Sequence, residues 1–212
     1  MTLRDIEEME RAEVRRESMT LEQRREEYVN GMFVSLCPPL YRETDVDRLP
    51  AAELATVLAW RMNPRGLLLV GPTGTGKTRC VWMLLRQLLG QRPETRIVAF
   101  DGLGWGIAVS KAYGDPEYTE RWFDKVCQCD VLFLDDLFKA KMTEAQEQAV
   151  YGVFERRSAQ MLPIIVTMNS TGKMILDRMT DQGRADRGEP LLRRMAEFCD
   201  VIHFGKQKEA TK

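Results

Sequence analysis

Leu67-Leu68-Leu69-Val70 runs directly into Gly71-Pro72-Thr73-Gly74-Thr75-Gly76-Lys77-Thr78, and Arg79–Leu89 continues with helical periodicity. A buried strand, a glycine-rich turn and a helix in that order surround an anion with backbone N–H groups. Gly71, Gly74 and Gly76 let the chain curl so that successive amides face inward. Lys77 then reaches the terminal phosphates, the Thr78 hydroxyl is a ligand for Mg²⁺, and Gly71 through Arg79 form the nucleotide-binding loop. This stretch predicts binding of a nucleoside triphosphate.

Further along, Val131-Leu132-Phe133-Leu134 ends in Asp135-Asp136. A buried strand ending in carboxylates lands beside the phosphate loop, at the sheet edge where open α/β sheets bind ligands. There Asp135 orients Mg²⁺ and Asp136 polarises the attacking water; the alternative for such a pair is capping the next helix. A third run, Pro163-Ile164-Ile165-Val166-Thr167, leads to Met168-Asn169-Ser170. An amide ending the strand between the two motif strands can reach the terminal phosphate, although Asn also suits turns generally. Late in the chain, Arg193 and Arg194 sit together in helical Leu191–Phe198. One of them supplied in trans would neutralise charge on a transferred phosphoryl group. The plain alternative is a surface pair bonded to Glu189 or Glu197.

Short apolar runs alternate with helical patterns from Gly66 onward, the signature of an α/β domain with a parallel sheet. Strands are expected at 67–70, 96–100, 131–135, 163–167 and 200–204, with helices near 77–90, 102–113, 117–127 and 143–161. Ahead of them, residues 1–37 read as a charged helical arm. Met1–Arg16 forms one weakly amphipathic helix, and Thr20 with Leu21-Glu22-Gln23 resembles the cap of a second. The prolines of Cys37-Pro38-Pro39-Leu40 mark the boundary to a domain over 38–212.

Composition narrows the partners. With 212 residues the chain is long enough for one core and a short appendage. A formal net charge of −1 argues against a generally basic coat, but 31 Lys and Arg residues leave room for a local basic groove. No segment approaches the ~20 apolar residues of a membrane helix, and the acidic N-terminus is unlike a secretory signal. A cytoplasmic location is the expectation. Cys37, Cys80, Cys127, Cys129, Cys199 and His203 lack zinc-site spacing and are read as structural.

Taken together, these motifs resemble the AAA+ ATPases of the helicase-loader branch, the DnaC/IstB-like family. The resemblance spans about Pro38 to Phe204. Its motifs are Pro38-Pro39-Leu40-Tyr41-Arg42, Gly71–Thr78, Leu134-Asp135-Asp136-Leu137, Phe154-Glu155-Arg156-Arg157-Ser158, Met168-Asn169-Ser170 and Leu192-Arg193-Arg194-Met195. It implies a three-layer P-loop NTPase sandwich with a five-stranded parallel sheet. It assigns ATP and Mg²⁺ to Lys77, Thr78 and Asp135, and the sensor role to Asn169. Arg194, with Arg193 as understudy, becomes the trans arginine finger, and Arg156 and Arg157 are candidates for a subunit boundary. Asp136 stands where many members carry Glu, and its shorter reach bears on the hydrolysis rate. Only Gly205–Lys212 follow the last strand, so a truncated lid is expected, as in the loader branch.

The resemblance further implies an ATP-state homo-oligomer on single-stranded DNA that delivers a replicative helicase docked on the arm. Within 102–127, Lys111 and Tyr113 near a Gly-Asp-Pro turn are the expected DNA contacts, whereas Trp122 and Phe123 fit core positions better. Three other readings stay open. One is a transposition helper acting on duplex DNA with a transposase. Another is a P-loop kinase for a small molecule, with Gln182–Arg187 imitating its lid. The third is a nucleotide-gated adaptor that binds ATP without useful turnover.

Overall fold

The computed structural model describes residues 19–114, 116–139, 142–169 and 185–205. The Met1–Arg16 helix, Ser170, the first half of the Gln182–Arg187 stretch and the residues after Gly205 lie outside them.

Strand β1 (Gly66–Val70) has every residue buried, as a strand covered on both faces must. Its neighbours are β2 (Ile97–Asp101), β3 (Val131–Asp135), β4 (Ile164–Met168) and β5 (Cys199–His203). All pairings are parallel, in the order β2-β3-β4-β1-β5. β4 therefore lies between the strand that feeds the phosphate loop and the strand that carries the acidic pair. The register aligns Val70 with Met168 and Leu134 with Val166. Gly71, Asp135 and Asn169 consequently emerge together at one carboxyl edge. At the opposite end Gly66 has no room for a side chain, since a Cβ there would stand 1.7 Å from the Ile164 carbonyl oxygen.

Alternating side chains split between two cores. Leu68, Val70, Leu132, Leu134, Ile164 and Val166 face one side, where α5 (Gly102–Ala112), α6 (Pro116–Gln128), α7 (Glu144–Ala159) and α8 (Ala185–Phe198) pack. Leu67, Leu69, Val131, Phe133 and Ile165 face the other, covered by α1 (Leu21–Leu36), the single turn α2 (Pro39–Arg42), α3 (Ala51–Ala59) and α4 (Lys77–Gln91). This is a three-layer α/β sandwich.

Thr20 caps α1 in a reciprocal box with Gln23, at 3.2 and 2.9 Å. The helix lies on the core. Phe33 meets the Trp82 ring edge-on at 6.3 Å, and the Arg25 guanidinium donates to the Gly90 and Gln91 carbonyls ending α4. Arg42 closes α1 by donating to the carbonyls of Val34 and Cys37. The described half of the expected arm thus shares its apolar face with the domain that follows.

Trp122 is buried against Trp105, with ring centroids 5.3 Å apart. Phe123 lies beside it under the Arg156 guanidinium. Both are core residues. Arg157, a subunit-boundary candidate by sequence, has no exposed surface. Its guanidinium donates to the Val126, Cys129 and Pro163 carbonyls at 2.8–2.9 Å and to Cys129 Sγ at 3.2 Å. The boundary role is corrected: Arg157 pins α6, β3 and β4 together from inside. All five cysteines are free and buried, and burial raises every thiol pKa. No described helix is long and apolar enough to cross a membrane.

Candidate functional site

Gly76 stands at the N-cap of α4 with φ 91°, and Gly74 takes φ 82°, both in the left-handed region that a side chain disfavours. These two positions turn the chain from β1 into α4, so the helix opens with Lys77. Only 4% of Lys77 is exposed. Its ammonium donates at 2.8 Å to the Gly71 carbonyl, the Pro72 carbonyl and Asn169 Oδ1. Burial pulls its pKa below the usual lysine value, against the opposing pull of Asp136 and Asp135.

At the end of β3 the two carboxylates play different parts. Asp135 Oδ1 accepts from the Thr78 hydroxyl at 2.7 Å and from the Thr167 hydroxyl at 2.5 Å. Burial nevertheless raises its pKa, since these bonds only partly offset the loss of water. Asp136 turns out of the strand with φ 50°, a conformation Asp tolerates better than most residues. Its N–H donates to Thr167 Oγ1 at 2.8 Å. Its Oδ1 accepts from Asn169 Nδ2 at 2.7 Å, and its Oδ2 faces Lys139 Nζ at 3.3 Å. The turn is held by the Leu137 N–H on the Thr167 carbonyl and by buried Leu137 and Phe138.

Lys77, Asn169, Asp136 and Lys139 therefore form one continuous polar chain, with Thr78, Asp135 and Thr167 beside it. The four residues of the chain and Thr78 border a cleft of about 550 Å³ that Thr73, Gly74, Gly76 and Arg79 also line. Gly71 and Pro72 shape the loop through the carbonyls that hold Lys77, and the Thr75 hydroxyl donates to the Pro72 carbonyl. Arg79 fastens the opposite wall. It donates to the Glu43 carbonyl and the Thr44 hydroxyl, and its guanidinium lies 5.5 Å from the Tyr41 ring centroid. Tyr41, Arg48 and Leu49 complete that wall.

The donors fit Mg²⁺: a hydroxyl and a carboxylate oxygen, Thr78 Oγ1 and Asp135 Oδ1, lie side by side, and Mg²⁺ usually completes its shell with water and phosphate. Mg²⁺ held there would neutralise charge on phosphoryl oxygens. Among the described residues no group of three or more His, Cys, Asp or Glu forms a separate metal cluster.

The remaining expected residues lie elsewhere. Arg194 on α8 is bonded to Glu155 of α7 and to Glu197 at 3.2 Å, with Phe198 beneath its guanidinium. Arg193 is exposed. Lys111 lies in the last turn of α5 and borders a second cleft of about 460 Å³, with Leu103, Ile107 and Ser110. Tyr113 follows it, 62% exposed. Three residues near the chemistry had no sequence assignment: Thr167, Lys139 and Arg48. Thr167 carried a legible signal, being the one hydroxyl in the aliphatic run Ile164–Met168, where a buried polar group needs partners.

No protein-family model matches the chain. Protein CdcH of Halobacterium salinarum is 33% identical over 150 residues, 69% of this chain but 18% of its own length. The Cell division cycle protein 48 homolog of Archaeoglobus fulgidus is 29% identical over 154 residues. The chain thus spans about a fifth of the length of these curated relatives, 18% and 19% respectively. Among solved structures, DnaI superposes with a TM-score of 0.60 at 18% identity, covering 76% of this chain and 86% of DnaI. The DnaC helicase loader gives 0.56 at 18% identity, covering 82% and 98%. AMPPCP-bound DnaA from Aquifex aeolicus gives 0.57 at 14% identity, covering 79% and 50%. Sheet order, phosphate loop and superposition agree that this chain is a P-loop protein with the AAA+ fold found in DnaC, DnaI and DnaA.

Proposed function

We propose that the chain is a helicase-loader-like AAA+ ATPase of the DnaC/IstB kind. It binds ATP with Mg²⁺ in the Lys77 cleft and assembles as a homo-oligomer on single-stranded DNA. It delivers or remodels a replicative helicase docked through its N-terminal arm, in the cytoplasm. The observation that carries this reading is the polar chain from Lys77 through Asn169 to Asp136, with Thr78 and Asp135 paired beside it. Lys77 and Asn169 meet a terminal phosphate, Thr78 and Asp135 hold Mg²⁺, and Asp136 polarises the attacking water. Hydrolysis is slow, because Asp136 is a short carboxylate and the trans arginine comes only from an assembled neighbour. A trans role for Arg194 requires it to exchange Glu155 for phosphate, which makes assembly the event that frees it. Lys111 and Tyr113, exposed at the end of α5, are the proposed DNA contacts.

The test is fluorescence anisotropy of labelled single-stranded and duplex DNA, with the protein in ADP or a non-hydrolysable ATP analogue. The expected result is single-strand binding only with the analogue, weakened by salt and lost in Lys77→Ala. Preference for duplex DNA would favour a transposition helper instead. Absence of DNA binding in both nucleotide states would overturn the loader reading.

A further inference from the structure

Asp136 has a protein donor on each carboxylate oxygen, Asn169 on Oδ1 and Lys139 on Oδ2. A carboxylate that polarises water must present an oxygen to that water. The two donors differ in freedom. Asn169 sits at the end of β4 and also accepts from Lys77, so both ends of its amide are tied. Lys139 follows the Asp136–Phe138 turn, its side chain is 67% exposed, and it reaches Asp136 by a flexible four-carbon stem. Lys139 is the donor that can leave.

The same cleft offers a destination. Lys139 lines it together with Lys77, Thr78 and Asn169, the groups around the terminal phosphate. A terminal phosphate carries more negative charge than one carboxylate and presents several acceptor oxygens, so it competes strongly for an ammonium at that distance. We infer that Lys139 is a cis phosphate-binding cation that exchanges Asp136 Oδ2 for the terminal phosphate of bound ATP. One movement then adds a positive charge to the phosphoryl group and frees an oxygen of Asp136 for the attacking water. With a diphosphate nothing occupies the terminal position, and Lys139 stays on Asp136. This inference rests on the reading of the cleft as an ATP site.

Equilibrium binding of fluorescent ADP and a non-hydrolysable ATP analogue to the full chain, with Mg²⁺, tests it without any need for turnover. Lys139→Met is expected to weaken the analogue about 10-fold while leaving ADP within about twofold, the scale of one charge-assisted hydrogen bond. Lys139→Arg, which keeps the charge, is expected to restore the preference. Retained ADP binding certifies that the variant is folded. An analogue-to-ADP ratio unchanged in Lys139→Met overturns the inference, as does equal weakening of both nucleotides. Failure of the unaltered chain to bind either nucleotide would instead overturn the ATP-site reading, and the inference with it.

Discussion

The Thr167 hydroxyl donates to Asp135 Oδ1 at 2.5 Å, and its oxygen accepts the Asp136 N–H at 2.8 Å, so one buried hydroxyl holds the side chain of one acidic residue and the main chain of the next. Thr167→Val keeps the shape and removes both bonds. It is expected to cost about 1–3 kcal/mol in stability, because the Asp136 amide loses its partner. ATP turnover is expected to fall at least ~10-fold as the acidic pair loses its alignment. Thr167→Ser restores a hydroxyl and much of the rate. Thermal melts and phosphate release on the three proteins decide the matter.

Arg157 predicts a stability effect rather than an assembly effect. Removing its guanidinium strands the Val126, Cys129 and Pro163 carbonyls in the core. Arg157→Met is expected to lower unfolding stability by about 3–5 kcal/mol in urea titrations. Arg157→Lys recovers little, because an ammonium lacks the planar fork that reaches three carbonyls at once. A wild-type denaturation midpoint in Arg157→Met would refute the role.

Arg194 bears on the assembled state. Under the proposed function, Arg194→Ala lowers turnover by ~10³-fold or more in the assembled protein, the scale of a trans arginine. Affinity for nucleotide in the isolated protomer changes little. Titrating Arg194→Ala with Lys77→Ala recovers part of the rate, since the second protein supplies the missing guanidinium to sites with an intact Lys77. If Arg193→Ala shows this behaviour and Arg194→Ala does not, the finger is Arg193.

The thiols give a pH prediction with a definite sign. Burial pushes Cys37, Cys80 and Cys127 up to about 11 and Cys199 up to about 12, from the ordinary thiol value of 9.0. A group whose pKa is raised in the folded protein stabilises it fully below the unfolded value. That contribution is lost as pH rises through the folded value. Stability therefore declines between pH 9 and about 11–12, and native protein near neutral pH resists alkylation until denaturant is added. Replacing the cysteines by Ala or Val flattens the alkaline limb of a chemical-denaturation series.

Much of this arrangement is visible in the letters, because strand, glycine turn and helix must follow one another to make a phosphate loop. The strands match the expected runs to within a residue at either end, and Thr20 caps its helix as the Thr-x-x-Gln spacing suggests. Other features depend on which face a residue occupies. Arg156 and Arg157 look alike side by side, yet Arg157 lies three, four and seven positions after Phe154, Val153 and Val150, all buried. Helical phase marks Arg157 as internal, and the presumption that charge means surface hides it. Lys139 offers no such cue. Its place at the cleft follows from the left-handed turns at Asp136 and Phe138, and no pattern of residue types announces those.

The seat of α1 on α4 has a mechanical consequence. α4 is 15 residues long, roughly 22 Å at the usual helical rise. Lys77 begins this rod, and Gly90 and Gln91, whose carbonyls Arg25 holds, end it. Phe33 grips it between those points through Trp82. Whatever pulls on the first helix must strip an aromatic ring from the rod and unclamp its far end. Conversely, an anion that shifts Lys77 moves the floor beneath that helix. The first helix and the phosphate loop are a lever and its load, joined by one piece of secondary structure.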